Sequence, residues 1–125
     1  GMQWLFENSD EAPGLPGLGV LPGTCRRLQG DVKIPHVGWN ALELGGPSWI
    51  LEGVPDLSQA YFTHSYAVPI TPACVAATSH GMRFAAAVES GRVAGVQFHP
   101  EKSGDVGLRI LRNFVRAVET SHRLS

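Results

Sequence analysis

The chain has 125 residues, a formal net charge of −1 and charged side chains at 17% of its positions. This length predicts one domain, and the near-neutral charge gives no electrostatic reason to expect nucleic acid or an anionic membrane as a partner. Because the sequence has neither a long uncharged apolar segment nor a basic start followed by an apolar core, we expect no transmembrane helix and no signal peptide.

The first half of the chain gives weak signals for secondary structure. Apolar residues at helical spacing predict a short helix over residues 2–9, and the Gly- and Pro-rich residues 13–23 predict a loop with a short extended piece. Residues 24–28 and 32–34 are interpreted as a strand pair around Gly30. Residues 41–57, with several prolines and glycines, are interpreted as loop with one short helix at most.

The second half of the chain gives clearer signals for secondary structure. Residues 60–68 are rich in aromatic and β-branched side chains and predict a strand, as do residues 74–78. Residues 84–89 and 92–98 flank Ser90-Gly91, a two-residue loop typical of a β-hairpin. Residues 105–121 place apolar side chains on one stripe, which indicates an amphipathic helix docked on a sheet. Ser103 or Asp105 is expected to cap that helix.

The stretch GVQFHPEKSG, residues 95–104, runs from an apolar strand into His-Pro-Glu. Proline excludes the helical region for the residue before it, so we expect His99 to stay extended. Side chains two apart in extended chain point the same way, which places His99 and Glu101 on one face. A carboxylate bonded to one ring nitrogen leaves the other nitrogen available as a general base. Spacing alone also leaves open a solvated, purely structural pair.

Cysteine and histidine give no sign of a metal site. The two cysteines, Cys25 and Cys74, are far apart and fit no metal-binding spacing. The five histidines are scattered without a close ligand pair, so we assign no metal. A reducing, cytoplasmic compartment is the default expectation for such cysteine usage.

Three ordered motifs carry a resemblance to a known family. They are PHVGWN (residues 35–40), FTHSY (residues 62–66) and GVQFHPEKSG. In this order they resemble the class I glutamine amidotransferases, and within them the glutaminase subunits that serve histidine biosynthesis. The resemblance covers essentially the whole chain. It implies glutamine as substrate, a cyclase as protein partner and no cofactor.

The resemblance also implies a Cys-His-Glu mechanism, in which a cysteine thiolate attacks the glutamine side-chain amide and ammonia is released. It assigns His99 as the base and Glu101 as the residue that orients it. The family's cysteine lies in a G-x-C-x-G-M-Q pattern, which this chain matches only from Gly1 onward. Cys25 lacks the strand-turn-helix context and Cys74 lies in a predicted buried strand, so structural roles are expected for both. We expect negligible glutaminase activity from this chain alone.

Further positions correspond to the family's substrate site and are expected to bind glutamine: Gln3, His64, Ser65 and Tyr66. For His64 a hydrogen-bonded core histidine is the alternative, and for Gln3 an ordinary exposed residue. Other positions correspond to the surface that faces the cyclase: Pro35, Trp39, Asn40 and Lys102. Trp39 is alternatively a core anchor, although tryptophan is enriched at interfaces, and Lys102 a solvated charge.

The family fold is a flavodoxin-like α/β domain. Residues 1–125 are expected to form a single partial domain, the C-terminal part of that fold, with mostly antiparallel or mixed strands and a helix at each end. Without the first strands, sheet edges and apolar helix faces become exposed, so we expect a homo-oligomer. A non-catalytic module that binds the cyclase or self-associates is the alternative to a glutaminase subunit.

Overall fold

The computed structural model describes residues 6–9, 21–28 and 33–124. Within these ranges the chain forms a series of short strands followed by a long helix. The strands are β1 (Phe6–Ser9), β2 (Leu21–Arg27), β3 (His36–Ala41), β4 (Glu43–Leu44), β5 (Gln59–His64), β6 (Tyr66–Ala67), β7 (Cys74–Ser79), β8 (Arg83–Ser90) and β9 (Val93–Val96). A 3-10 helix, Pro100–Lys102, leads into helix α1, Gly104–Leu124.

The strands form three hydrogen-bonded groups. β4, β7, β8 and β9 make an antiparallel sheet in that order, and β3 pairs with β5 as an antiparallel ribbon. In the third group β2 lies between β1, its parallel neighbour, and β6, its antiparallel one. The predicted α/β class with mixed and mostly antiparallel strands is therefore confirmed.

The predicted N-terminal helix is wrong over Phe6–Ser9, which form strand β1. Residues 2–5, the rest of that predicted helix, lie outside the described residues. Phe6 pairs with Leu21 and Ser9 with Cys25, so backbone bonds to β2 determine the conformation. Three apolar residues at helical spacing are a weak signal, and tertiary strand pairing overrides it.

Two other predictions near β2 need correction. The strand starts at Leu21, inside the predicted loop, and its partners are β1 and β6, whereas Lys33 and Ile34 belong to no strand. The single strand predicted over residues 60–68 is divided at Ser65 into β5 and β6. The division has a clear cause, because the Ser65 carbonyl accepts the Leu28 N–H at 2.8 Å and β6 then joins β2.

The C-terminal elements agree with the sequence. β8 and β9 form the predicted hairpin, in which Ser90 pairs with Val93 and Gly91 takes a positive φ of 59°. Helix α1 covers the predicted residues 105–121, but only part of the predicted apolar stripe docks on the core, since Ile110 is buried whereas Leu111, Val115 and Val118 are exposed. Among the described residues, no helix is both long enough and apolar enough to cross a membrane.

The core lies between α1, the β3–β5 ribbon and the four-stranded sheet. Its largest fully buried side chains include Phe62, Phe84 and Ile110, and Phe62 meets Phe84 and Phe98 in edge-to-face ring contacts. Buried Asn113 of α1 donates to the carbonyls of Ile50 and Glu52, both at 2.9 Å. These bonds satisfy the backbone of the turn at residues 50–53 and join it to the helix.

Candidate active site and partner surface

His99 connects the end of the hairpin to the 3-10 helix. Its backbone is extended, with φ −94° and ψ 101°, as expected for the residue before a proline. Its N–H donates to the Tyr61 carbonyl at 2.9 Å, which fixes the turn against strand β5. The imidazole thus projects from a backbone that is hydrogen-bonded to the centre of the fold.

The His99 and Glu101 side chains meet on one face, as their spacing predicts. His99 Nδ1–H donates to Glu101 Oε1 at 2.8 Å, and the side chains are 38% and 57% exposed. Hydrogen bonds from Glu101's own backbone N–H and from the His99 imidazole lower the pKa of the Glu101 carboxyl, so this group is ionised at neutral pH. Nε2 of His99 has no hydrogen-bond partner among the described residues.

Ser103 lies behind this pair and has a role that the sequence did not suggest. Its side chain is buried, and its hydroxyl accepts the Tyr61 N–H at 3.0 Å and donates to the His99 carbonyl at 2.6 Å. Ser103 does precede the first helical residue, as predicted, but its hydroxyl does not cap the N–H groups of α1. It joins strand β5 to the His-Pro-Glu turn.

Three of the histidines that are scattered along the sequence come together beside the β3–β5 ribbon. His36 Nδ1 lies 3.0 Å from His64 Nε2, and the His36 and His80 rings stack with centroids 4.1 Å apart. The polarity of the bonds is fixed: His64 Nδ1–H donates to the Tyr66 carbonyl at 2.8 Å, so His64 Nε2 accepts from His36 Nδ1–H. His80 Nε2–H donates to the Lys33 carbonyl at 2.7 Å. The described residues contain no group that could hold a metal ion.

Burial keeps two of these rings neutral. Desolvation, followed by the neighbouring His80 and His64, lowers the pKa of His36 to about 4. The pKa of His64 is also lowered, mainly by desolvation and further by His80, although the Tyr66 carbonyl opposes the shift. The His64 side chain is therefore a hydrogen-bonded core group, the alternative that the sequence left open.

The predicted substrate segment, residues 64–66, is held in place through its backbone carbonyls. The Ser65 carbonyl accepts the Leu28 N–H, and the Tyr66 carbonyl accepts from the buried His64 ring. Both Ser65 and Tyr66 remain partly exposed. Gln3, the fourth predicted substrate residue, lies outside the described residues.

Two of the predicted partner residues, Trp39 and Asn40, lie on opposite faces of β3. Residues 36–41 form strand β3, so alternate side chains point to opposite faces. Trp39, 55% exposed, lies on the outer face with Val37, whereas the Asn40 amide points inward and donates to the Ser79 carbonyl at 2.9 Å. Pro35 is exposed just before the strand.

The outer face of the β3–β5 ribbon carries aromatic and basic side chains that lie close together. The rings of Trp39 and Tyr61 meet edge to face with centroids 6.0 Å apart, and Lys102 Nζ lies 6.0 Å from the Tyr61 centroid. We call Trp39, Tyr61 and Lys102 the outer aromatic surface. Tyr61 and Val37 were missed by the sequence analysis, although the alternation of residues 36–41 is a signal that could have placed Val37 beside Trp39.

Cys74 is not placed as an activated nucleophile. Burial raises the pKa of the Cys74 thiol, which donates to the Ala76 carbonyl at 3.2 Å. Cys25 lies in β2, and its side chain is outside the described residues. A cavity of about 290 Å³ lies between Trp49, Arg92, Asn113 and Arg116, and no predicted site residue lines it.

Comparison with known proteins identifies the family. The family model for "Glutamine amidotransferase class-I" matches residues 1–118. The chain belongs to the class-I glutamine amidotransferases. The resemblance inferred from three motifs is thereby confirmed, and this class-I domain places the His-Pro-Glu turn directly before its long helix.

Among the class-I amidotransferases, the chain is similar to curated subunits of one enzyme. The chain is 52% identical over 117 residues to "Imidazole glycerol phosphate synthase subunit HisH" of Xylella fastidiosa (strain Temecula1 / ATCC 700964). It is 49% identical to the HisH subunit of Xanthomonas campestris pv. campestris (strain 8004) and 48% identical to that of Deinococcus radiodurans. These matches cover 92–93% of this chain but 56–58% of the relatives' lengths.

Proposed function

We propose that the protein is a glutaminase subunit of imidazole glycerol phosphate synthase, which releases ammonia from glutamine for a cyclase partner in cytoplasmic histidine biosynthesis. The 2.8 Å bond between His99 Nδ1 and Glu101 Oε1 carries the proposal, because it leaves Nε2 as the basic atom. Identity of 48–52% to HisH subunits supports the choice of pathway.

In the proposed reaction a cysteine thiol attacks glutamine, and the His99–Glu101 pair transfers the protons. Nε2 of His99 takes the proton of a cysteine thiol as the sulfur attacks the carboxamide carbon of glutamine. When the carbon–nitrogen bond breaks, the same nitrogen gives the proton to the departing ammonia, and a thioester remains. Water, deprotonated by Nε2, then hydrolyses the thioester to glutamate. Glu101 keeps the proton on Nδ1 and stabilises the imidazolium, since its own carboxylate stays ionised.

The other predicted residues have supporting roles in this proposal. Gln3 and the backbone of Ser65 and Tyr66 bind the α-amino and carboxylate groups of glutamine, and the buried His64 holds that backbone through the Tyr66 carbonyl. The outer aromatic surface, Trp39, Tyr61 and Lys102, contacts the cyclase. Its two aromatic side chains are of the kind enriched at protein interfaces.

The nucleophilic thiol is neither Cys25 nor Cys74 in this proposal, so the 125-residue chain alone hydrolyses no glutamine. The test is a chimera in which the part of Xylella fastidiosa HisH that this chain does not match precedes Gly1. We expect the chimera with its cyclase to release ammonia from glutamine, measured by coupled glutamate dehydrogenase, and the chain alone to release none. Turnover by the chain alone would refute the thiol assignment.

The matched control is the same chimera with the cysteine of its G-x-C-x-G-M-Q segment replaced by serine. It should be inactive while still binding the cyclase. A folded, cyclase-bound chimera with an intact thiol and no activity would contradict the glutaminase assignment itself.

A second role, self-association, is favoured by an exposed apolar stripe on α1. Leu108, Leu111, Val115 and Val118 follow a three-four-three spacing and are 40–67% exposed. Such a stripe on a helix is typical of helix–helix docking. We propose that two copies of the chain associate through it.

Light scattering at micromolar concentration should give about twice the mass of one chain, since C2 dimers are the commonest oligomers. The double variant Leu111→Glu/Val115→Glu should be monomeric because it places charge in the stripe. Arg116→Glu, an exposed charge reversal farther round the helix from the stripe, should leave the mass unchanged. A monomeric parent chain would rule out this role.

A further inference from the structure

The His-Pro-Glu turn and strand β5 are joined by three hydrogen bonds that close a ring through the backbone of His99. The His99 N–H donates to the Tyr61 carbonyl at 2.9 Å, and the Tyr61 N–H donates to Ser103 Oγ at 3.0 Å. The Ser103 O–H then returns to the His99 carbonyl at 2.6 Å. Both backbone groups of His99 are therefore fixed, one by β5 and one by the Ser103 hydroxyl.

We propose that Ser103 is a positioning residue for His99: its hydroxyl holds the turn so that the imidazole presents Nδ1–H to Glu101 and Nε2 to the substrate. The catalytic meaning of this role rests on the proposed function. Its physical basis does not, because the bonds and burial are features of the fold itself.

Burial makes the hydroxyl difficult to replace. Ser103 is 2% exposed, so water has little access to the position that its hydroxyl occupies. Without the hydroxyl the Tyr61 N–H loses its acceptor, and a buried unpaired donor is unfavourable. The His99 carbonyl would keep the Lys102 N–H at 3.0 Å but lose its bond across the turn. The turn can then move away from β5, and the His99 ring moves with it.

Close contact between the turn and α1 adds a second constraint at Ser103. Its N–H donates to the Pro100 carbonyl at 3.1 Å, and its own carbonyl accepts the Gly107 N–H at 3.2 Å. Gly107 lies so close to the turn that a Cβ at this position would collide with the Pro100 carbonyl oxygen. Ser103 is thus the junction at which strand, turn and helix meet.

The test measures His99 directly by NMR on the 125-residue chain with ¹⁵N-labelled histidine at pH 7.5. The parent chain should show His99 with its proton on Nδ1. In Ser103→Ala the ratio of the Nδ1–H to the Nε2–H tautomer should fall at least about threefold, because the ring loses its fixed approach to Glu101. Hydrogen exchange of the Tyr61 amide should rise about tenfold, since its acceptor is gone.

Two variants serve as controls. Ser103→Thr retains a hydroxyl and should restore the parent tautomer ratio and slow Tyr61 exchange. Thr78→Val removes another buried hydroxyl, one without a hydrogen-bond partner among the described residues, and should leave the His99 spectrum unchanged. A purely structural role of Ser103 would lower stability without changing the His99 tautomer, and that result would overturn the proposal.

If Ser103→Ala does not fold, Gly107→Ala provides an alternative test. It keeps the hydroxyl and improves helix propensity but forces the turn away from α1. The His99 tautomer ratio should change in the same direction, and an unchanged ratio would contradict the proposal. Because no turnover is measured, inactivity of the chimera would remove the proposed function and leave this result unaffected.

Discussion

Replacement of His99 by asparagine in the chimera described above is expected to reduce kcat for glutamine hydrolysis by about 10²–10⁴-fold, the contribution of a positioned general base. Nε2 of His99 is the only atom assigned to both proton transfers, so the thiol attack and the departure of ammonia are both affected. KM for glutamine should change little, because the proposed substrate contacts lie on the 64–66 segment. Coupled ammonia assays with the cyclase present give both constants.

Glu101→Gln is expected to cause a smaller loss than His99→Asn. An amide oxygen still accepts the Nδ1–H proton at the same position, but the negative charge that stabilises the imidazolium is gone. Glu52→Gln makes the same chemical change at another exposed carboxylate and should retain parent activity. If His99→Asn retained more than a tenth of the parent kcat, the base assignment would be wrong.

The second large predicted effect is a dependence of folding stability on pH, caused by the buried histidines. In the unfolded chain His36 binds a proton below about pH 6.5, whereas in the folded protein its pKa is about 4. The unfolded state therefore binds more protons between these values, and stability falls as the pH decreases through this window. Above about pH 7 the contribution is complete. His64, whose pKa is lowered as well, acts in the same direction.

Linkage gives the size of the effect. Between pH 8 and pH 5 the shift of His36 alone is expected to lower the free energy of unfolding by about 2 kcal/mol. Carboxylates contribute little above pH 5, so the histidines dominate this range. Urea unfolding followed by tryptophan fluorescence at fixed ionic strength measures the change.

His36→Phe tests whether this residue is the source. Phenylalanine can retain the stacking on Phe62, whose ring centroid lies 4.9 Å from that of His36, but it cannot titrate. The variant should be less stable at pH 8, because His64 Nε2 loses its donor, and its stability should depend less on pH. A parent protein equally stable at pH 8 and pH 5 would contradict the account.

The sequence predicted the contact between His99 and Glu101 because its geometry is local. A proline fixes the backbone of His99, and two-residue spacing in extended chain brings Glu101 to the same face, so no distant contact is required. The β8–β9 hairpin and α1 were predictable for the same reason, since a Gly-containing loop and an apolar stripe are local signals.

Features that depend on distant contacts could not be predicted. β1 is a strand because β2 lies beside it, and the division at Ser65 follows from a bond to Leu28. Ser103 or Asp105 was expected to cap α1, yet the Ser103 hydroxyl meets Tyr61, which is 42 positions away in the sequence. Likewise, His36 and His64 are 28 residues apart and meet only because β3 pairs with β5.

The buried histidines have one more consequence. From the Asn40 amide, 3.4 Å from His36 Nε2, through His36 and His64 to the Tyr66 carbonyl, every donor points in the same sense. In such a series each ring can carry its proton on one nitrogen only. Reversing the direction of one hydrogen bond would require reversing all the others. The terminal Tyr66 carbonyl can only accept a hydrogen bond, so it fixes the tautomers of both rings and requires the Asn40 amide to present an N–H to His36.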